Sequence, residues 1–194
     1  VSPSELSTYE ALVEDRWKRR ICIRSSNNIY NQSLVASMIE ATGEDATQEW
    51  AEGLVANLAR KPTGGDTDQL RAVAAGQCDV AIANTYYFGR LIDSKKSEDR
   101  EVVSKLGVFW PNQANRGAHV NISAIAVTKY AKHPAEAVRL LEYMVSDDAQ
   151  AYYAEINHEY PVVPGVPSSP TIALLGQFKS DALNLSLLGI NNRQ

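Results

Sequence analysis

An α/β fold, a mostly parallel central sheet flanked by helices, is what the sequence predicts, and three observations carry it. Strand-like and helix-like segments alternate over residues 1–90. One strand-like segment, D79-V-A-I-A83, is continuously apolar from Val80 on, as expected of a strand buried on both faces. Strands separated by helices join in parallel through right-handed crossovers.

The elements follow in order. R20-I-C-I-R24 reads as a short strand. From Gln32, the residues Leu34, Val35, Met38 and Ile39 fall on one face of a helix that Gly43 closes. Asp45 is expected to cap a second helix carrying Trp50, Leu54 and Val55, with Gln48 placed as in a capping box. L58-A-R-K61 reads as a short strand before the P62-T-G-G65 turn. Asp66 or Thr67 then caps a third helix, with Leu70, Val73 and Ala74 inward and Gly76 past its end.

Beyond residue 90 the character changes. S94-K-K-S-E-D-R100 reads as a charged surface stretch, and G117-A-H-V-N-I-S-A-I-A-V127 as a long strand. Pro134 opens a helix whose buried face is Ala137, Val138, Leu141, Met144 and Val145, and Ser146 opens another through Ile156. The tail from Tyr160 is rich in Pro, Ser and Gly before the apolar stretches A173-L-L-G176 and L183-N-L-S-L-L188. With the strand at 20–24 central, between 58–61 and 79–83, the order reverses between the first and third strands. Ligands of such sheets bind beyond the carboxyl ends of strands at that point. The segments placed there are S25-S-N-N-I-Y-N31 and N84-T-Y-Y-F-G89.

Composition excludes several classes. A chain of 194 residues with 44% hydrophobic and 22% charged residues suits one good core, or one domain and part of a second. Its net charge of −4 argues against nucleic acid or an anionic membrane as the main partner. The densest basic cluster, R16-W-K-R-R20, reads as a solvated helix end. No run approaches the ~18 apolar residues of a membrane span. The opening V1-S-P-S-E-L-S has no initiator Met and no signal peptide, and reads like the middle of a protein. Cys22 and Cys78 are too few and too far apart for a zinc site. Two buried thiols and one disulfide both remain open.

The candidate chemistry lies in the tyrosines. Tyr30 follows Cys22, and Tyr86 follows Cys78, at the same spacing of eight, as expected for two parallel strands reaching one edge. Tyr30, Tyr86 and Tyr87 are thus candidates to converge. Residues 86 and 87 would point to opposite faces of an ideal strand, so sharing a site demands a bend, which Gly89 permits. Phenols are neutral at pH 7, but a hard trivalent cation favours the phenolate and drives the proton off. Three phenolates suit Fe(III) and balance its charge, whereas softer metals recruit Cys or Met and zinc recruits His. Aromatic residues at strand ends are also ordinary packing pieces, and the Tyr152-Tyr153 doublet is read as packing. Ser25 and Ser26 are weak nucleophile candidates, because a hydrolase needs a base in reach and the chain has only three histidines. His133 reads as a helix cap, His119 as a satisfied core histidine, and His158 as a loop residue without a partner motif. P62-T-G-G-D66 lacks the ending of a phosphate-binding P-loop; it and S25-S-N-N28 offer helix starts to a small anion.

R24-S-S-N-N-I-Y-N-Q-S-L34, G65-D-T-D-Q-L-R-A-V73, A83-N-T-Y-Y87 and G117-A-H-V-N-I-S123 resemble, in order and spacing, the ferric-ion-binding proteins of bacterial ABC iron importers. The resemblance runs from about residue 1 to at least residue 166 and implies a type II periplasmic-binding-protein-like fold. It implies Tyr86 and Tyr87 as iron ligands, with Tyr30 joining them in members having the N-I-Y-N form. In relatives that bind a synergistic anion such as carbonate or phosphate beside Fe(III), its ligands match Ser26, Asn27, Asn28 and Asn84. The family's N-terminal lobe has no counterpart here. The expectation is therefore a C-terminal lobe over residues 1–118 and a crossover strand with helices over 119–194, holding at most half of an interlobe site. The resemblance further implies a non-enzymatic, exported, periplasmic protein, monomeric when full length, that docks on an inner-membrane ABC permease. A binding protein of this fold for an oxyanion or organic cation is the nearest alternative. A hydrolase using Ser25 or Ser26 with His119, and a regulator's sensor domain, are more distant ones.

Overall fold

The computed structural model describes residues 1–191 and, of Leu185, the backbone alone; residues 192–194 of the expected C-terminal segment lie outside the described residues. The chain divides into two compact units. One comprises residues 1–84, 95–121 and 178–194, and the other residues 85–94 and 122–177.

In the first unit, β1 (Ile21–Cys22) pairs in parallel with β2 (Val80–Ala81), Ile21 opposite Val80 and Cys22 opposite Ala81. Ile21 also forms a parallel bridge to Leu58. β1 therefore lies between the other two segments, as the sequence order predicts, although each strand is shorter than expected. Leu12, Trp17, Ile21, Ile23, Leu34, Met38, Trp50 and Leu54 form the core beside it. Each such side chain contributes about 1.5–3 kcal/mol by leaving water, and Trp50 keeps its indole N–H satisfied by donating to the Tyr9 carbonyl at 2.8 Å.

Cys22 and Cys78 are joined by a disulfide with Cα atoms 5.9 Å apart. Cys78 sits in the turn before β2 rather than within the ladder, so the bond does not bridge directly opposed strand residues.

Three helices follow β1. α1 (Ile29–Thr42) begins three residues earlier than Gln32, because the Asn28 side chain accepts the Tyr30 N–H at 3.0 Å and caps it there. Gly43, at φ +86°, both ends α1 and starts α2 (Glu44–Ala56). A left-handed glycine makes that immediate turn without steric cost, so Asp45 lies inside the helix and Gln48 bonds Glu52 instead of closing a capping box. α3 (Asp66–Ala74) is capped at Gly65, whose N–H donates to the Asp68 carboxylate at 2.7 Å. Its buried face is Asp66, Gln69 and Ala72, not Leu70, Val73 and Ala74. The reason is polar: Gln69 is held by Arg60 at 2.8 Å and by the Thr63 carbonyl at 2.7 Å, and Asp66 by Arg24 at 2.9 Å.

Farther along, α4 (Thr85–Ile92) belongs to the second unit, and α5 (Ser97–Ser104) forms where a charged surface stretch was expected. Asp99 buries its carboxylate on α5 against Arg71 at 2.8 Å. The long strand expected over 117–127 does not form. Ala118 alone pairs, in an isolated bridge to Ser180, and residues 119–127 join no ladder among the described residues. A strand exists only by pairing, and the pairing stops at Ala118, whose carbonyl accepts the Asp181 N–H at 2.8 Å. Gly117 is required there: a Cβ would stand 2.6 Å from the Lys179 carbonyl oxygen.

In the second unit, α6 (Pro134–Met144) and α7 (Asp147–Asn157) match the expected helices, and Ser146 caps α7 by accepting the Ala149 N–H at 3.3 Å. The expected inward face of α6 is not buried: Val138 and Val145 are 46% and 54% exposed, and Ala137, Leu141 and Met144 are half-buried. Phe88 and Leu91 of α4, Ile172 of α8 (Pro170–Ala173) and Leu175 are buried in this unit. α9 (Leu185–Asn191) returns to α1 in the first unit, with the Asn191 amide donating to the Ala36 carbonyl at 3.3 Å. Among the described residues no helix is long and apolar enough to cross a membrane.

Candidate metal centre

In the first unit the loop after β1 is built by its own amides. Asn31 donates to the Arg24 carbonyl at 2.7 Å and to the Ser25 carbonyl at 3.2 Å, and Gln32 donates to the Ser26 carbonyl at 3.3 Å. These bonds hold Ser26 and Asn27 exposed at the loop tip and Asn28 at the helix start. Tyr30 is the second residue of α1, half-buried, with the Arg24 guanidinium 5.2 Å from its ring centroid. That distance is a cation–π contact.

A single carboxylate organises the region. Asp66 is 1% exposed; its Oδ1 accepts from Arg24 at 2.9 Å, and its Oδ2 accepts the Asn84 N–H at 2.7 Å and the Asn84 side-chain amide at 3.1 Å. Asn84 in turn accepts from Asn121 at 2.7 Å. Both ends of the Asn84 amide are thus engaged within the protein. Asp66 and Asn121 were not singled out as site residues from sequence; Asp66 read as a plain helix cap because its position at the start of α3 is where caps occur.

In the second unit Tyr86 and Tyr87 lie in the first turn of α4, not on a bent strand end. A helix separates consecutive side chains by about 100° where a strand separates them by 180°, so neither residue needs a kink to keep the other's company. Their ring centroids are 4.3 Å apart with planes at 30°. Arg90, one turn on, covers both, 5.1 Å from the Tyr86 ring and 5.5 Å from the Tyr87 ring. Gly89 supplies no bend. It is a mid-helix glycine where a Cβ would stand 2.7 Å from the Cβ of His158.

Other phenols provide a contrast. Burial pushes the Tyr9 hydroxyl up to about 12 and raises that of Tyr160, which keeps both neutral. Tyr152 is 61% exposed and packs edge-on to Tyr153. Among the described residues no group of three or more His, Cys, Asp or Glu side chains is placed to hold a metal. His119 does not serve Ser25 or Ser26. Its Nε2 is 2.9 Å from the Ser33 hydroxyl, and burial lowers its affinity for a proton. His133 occupies a cap position without a side-chain bond.

Helices with phenols in their first turns thus follow two strands of the parallel sheet. The chain belongs to the bacterial extracellular solute-binding protein family, which it matches over residues 6–174, and it has the type II fold of that class. It is 50% identical over 189 residues to iron uptake protein A1 of Synechocystis, covering 97% of this chain and 52% of that protein. Trichodesmium FutA (IdiA), solved in complex with iron and citrate ligands, superposes with a TM-score of 0.96 at 52% identity, over 100% of this chain and 61% of that one. The ferric binding protein from Campylobacter jejuni superposes at 0.95 with 39% identity, over 100% and 61%. The chain thus spans about half the length of the curated relatives it matches.

Proposed function

We propose that the chain is part of a periplasmic Fe(III)-binding component of an ABC iron importer, in which Tyr30, Tyr86 and Tyr87 supply phenolates to the ferric ion. The observation that carries this reading is the Tyr86–Tyr87 pair, two half-buried phenols side by side in the first turn of α4 under one arginine. The similarity to proteins named for iron uptake, for an iron and citrate complex and for ferric binding supports it. The chain acts in binding and delivery, without catalysis. Ferric iron is the cargo, and an inner-membrane permease is the partner of the loaded, monomeric protein.

Ser26, Asn27 and Asn28 offer donors to an anion accompanying iron, such as carbonate or phosphate. Asn84 fits that role less simply, since its amide already bonds Asp66 and Asn121. Residues 1–118 are assigned to the C-terminal lobe and 119–194 to the segment that crosses back toward the other lobe.

The test is an Fe(III) titration of the complete gene product, followed by visible absorption, beside the Tyr86→Phe/Tyr87→Phe double variant. A phenolate-to-iron charge-transfer band is expected in the wild type and absent from the variant. A folded wild type that stays colourless with Fe(III) overturns the reading and favours a different small ligand on the same fold.

A further inference from the structure

We propose that Asp93, Thr171 and His158 form a latch that sets the position of α4, making them positioning residues for ferric-ion binding through Tyr86 and Tyr87. This inference rests on the tyrosine reading above. All of these residues lie in the second unit.

Tyr86, Gly89 and Asp93 are spaced by three and four, and so share one face of the helix. Asp93 directly follows α4 and continues its backbone bonding, its N–H donating to the Gly89 carbonyl at 3.1 Å. The Asp93 carboxylate is then held by a hydrogen bond from one other element and approached by a histidine from another. The Thr171 hydroxyl of α8 donates to Oδ1 at 2.6 Å, and the His158 Nε2 lies 3.6 Å from Oδ2.

His158 closes α7 in the left-handed region, at φ 61° and ψ 33°, and is 5% exposed. A side-chain-bearing residue stays in that conformation only where its surroundings hold it there. What it meets is α4. A Cβ on Gly89 would approach the His158 Cβ to 2.7 Å and Cγ to 2.9 Å, so the helix backbone rests directly on the histidine.

Phe88 and Leu91 bury one face of this eight-residue helix, and the contact of Gly89 with His158 and the hold on Asp93 add to that packing at its exit. The consequence for the phenols is one of leverage. A turn of about 10° about the helix axis moves an atom at the side-chain radius of roughly 5–6 Å by about 1 Å. Ligand groups must be held to within about 0.5 Å. Loosening the latch therefore spoils the phenolate geometry without touching a phenol.

The experiment compares Thr171→Val, which removes the hydroxyl at nearly constant shape, with Thr171→Ser, which restores it. Both are made in the complete gene product, with His158→Asn and Gly89→Ala alongside. Fe(III) affinity is read by competition with a chelator, and the charge-transfer band and the thermal midpoint of the iron-free protein are read in parallel. Thr171→Val is expected to weaken Fe(III) binding about 10–100-fold, the range for losing a partner that orients a ligand. It should displace or weaken the band while the midpoint moves little, and Thr171→Ser should recover both affinity and band. His158→Asn and Gly89→Ala should act in the same direction; should either fail to fold, the threonine pair still decides.

Wild-type affinity and an unmoved band in Thr171→Val, with or without a lower midpoint, overturn the latch. In that case a wild-type band that disappears in Tyr86→Phe/Tyr87→Phe leaves the tyrosine reading standing. No Fe(III) band in the wild type removes both together.

Discussion

The two tyrosine-bearing helices reach the same placement by different means. Tyr30 and Tyr86 are each the second residue of a helix, and each follows a disulfide-bonded cysteine by eight positions. α1 is fixed at its entrance: the Asn28 side chain caps it, and Arg24, tied to buried Asp66, lies against the Tyr30 ring. It is then anchored along its length by Leu34, Ala36, Ser37 and Met38, all buried. α4 has eight residues to the fourteen of α1 and is fixed at its exit, where Asp93 meets Thr171 and His158. Both helices have a core face, that of α4 being Phe88 and Leu91. The longer one is capped at its entrance, and the shorter one is held at its exit.

The largest effect on this comparison should come from what both helices share. Replacing Cys22 and Cys78 by Ser reopens a loop with a sequence separation of 56. The chain-entropy account puts the loss at about 4 kcal/mol, and equilibrium denaturation with urea should show it as a lower midpoint with stability restored by no reductant. Next comes Asp66→Ala, which leaves the Arg24 guanidinium, 19% exposed, without its carboxylate. Breaking such a pair costs about 3 kcal/mol. Because Asp66 also holds Asn84 just before α4, hydrogen exchange should quicken at the starts of α1 and α4 alike; a change confined to α1 would show the two entrances to be independent. The smallest effect is expected from Asn28→Ala, about 1 kcal/mol for a lost cap. Asn28→Asp should recover it, and protection should fall in the first turn of α1 while α4 is unchanged.

How far the sequence reached depends on the range of the signal. The central position of β1 was legible because parallel pairing, an apolar run at 79–83 and intervening helices leave few arrangements. The start of α1 was missed although Asn28 is a strong cap type, since S25-S-N-N28 reads equally as loop. α4 was missed for a different reason. T85-Y-Y-F88 has strand-like aromatic composition, which implies a two-residue period for the doublet and a bend at Gly89. The glycine instead makes room for His158, a residue with no local motif whose partner Asp93 is remote in sequence. Asp66 and Gln69 could not be placed on the buried face of α3 by hydrophobic pattern, because arginines rather than apolar groups receive them. The strand at 117–127 failed on pairing: its composition suits a strand, but Ala118 alone finds an edge.

The Cys22–Cys78 bond turns the stretch containing α1, α2 and α3 into a covalent ring, with Tyr30 inside it and Tyr86 outside. A protease that cuts this ring therefore does not release a fragment. The nicked molecule stays one molecule until a reductant is added, and sulfur then carries the tether between the two tyrosine segments that the peptide backbone has lost.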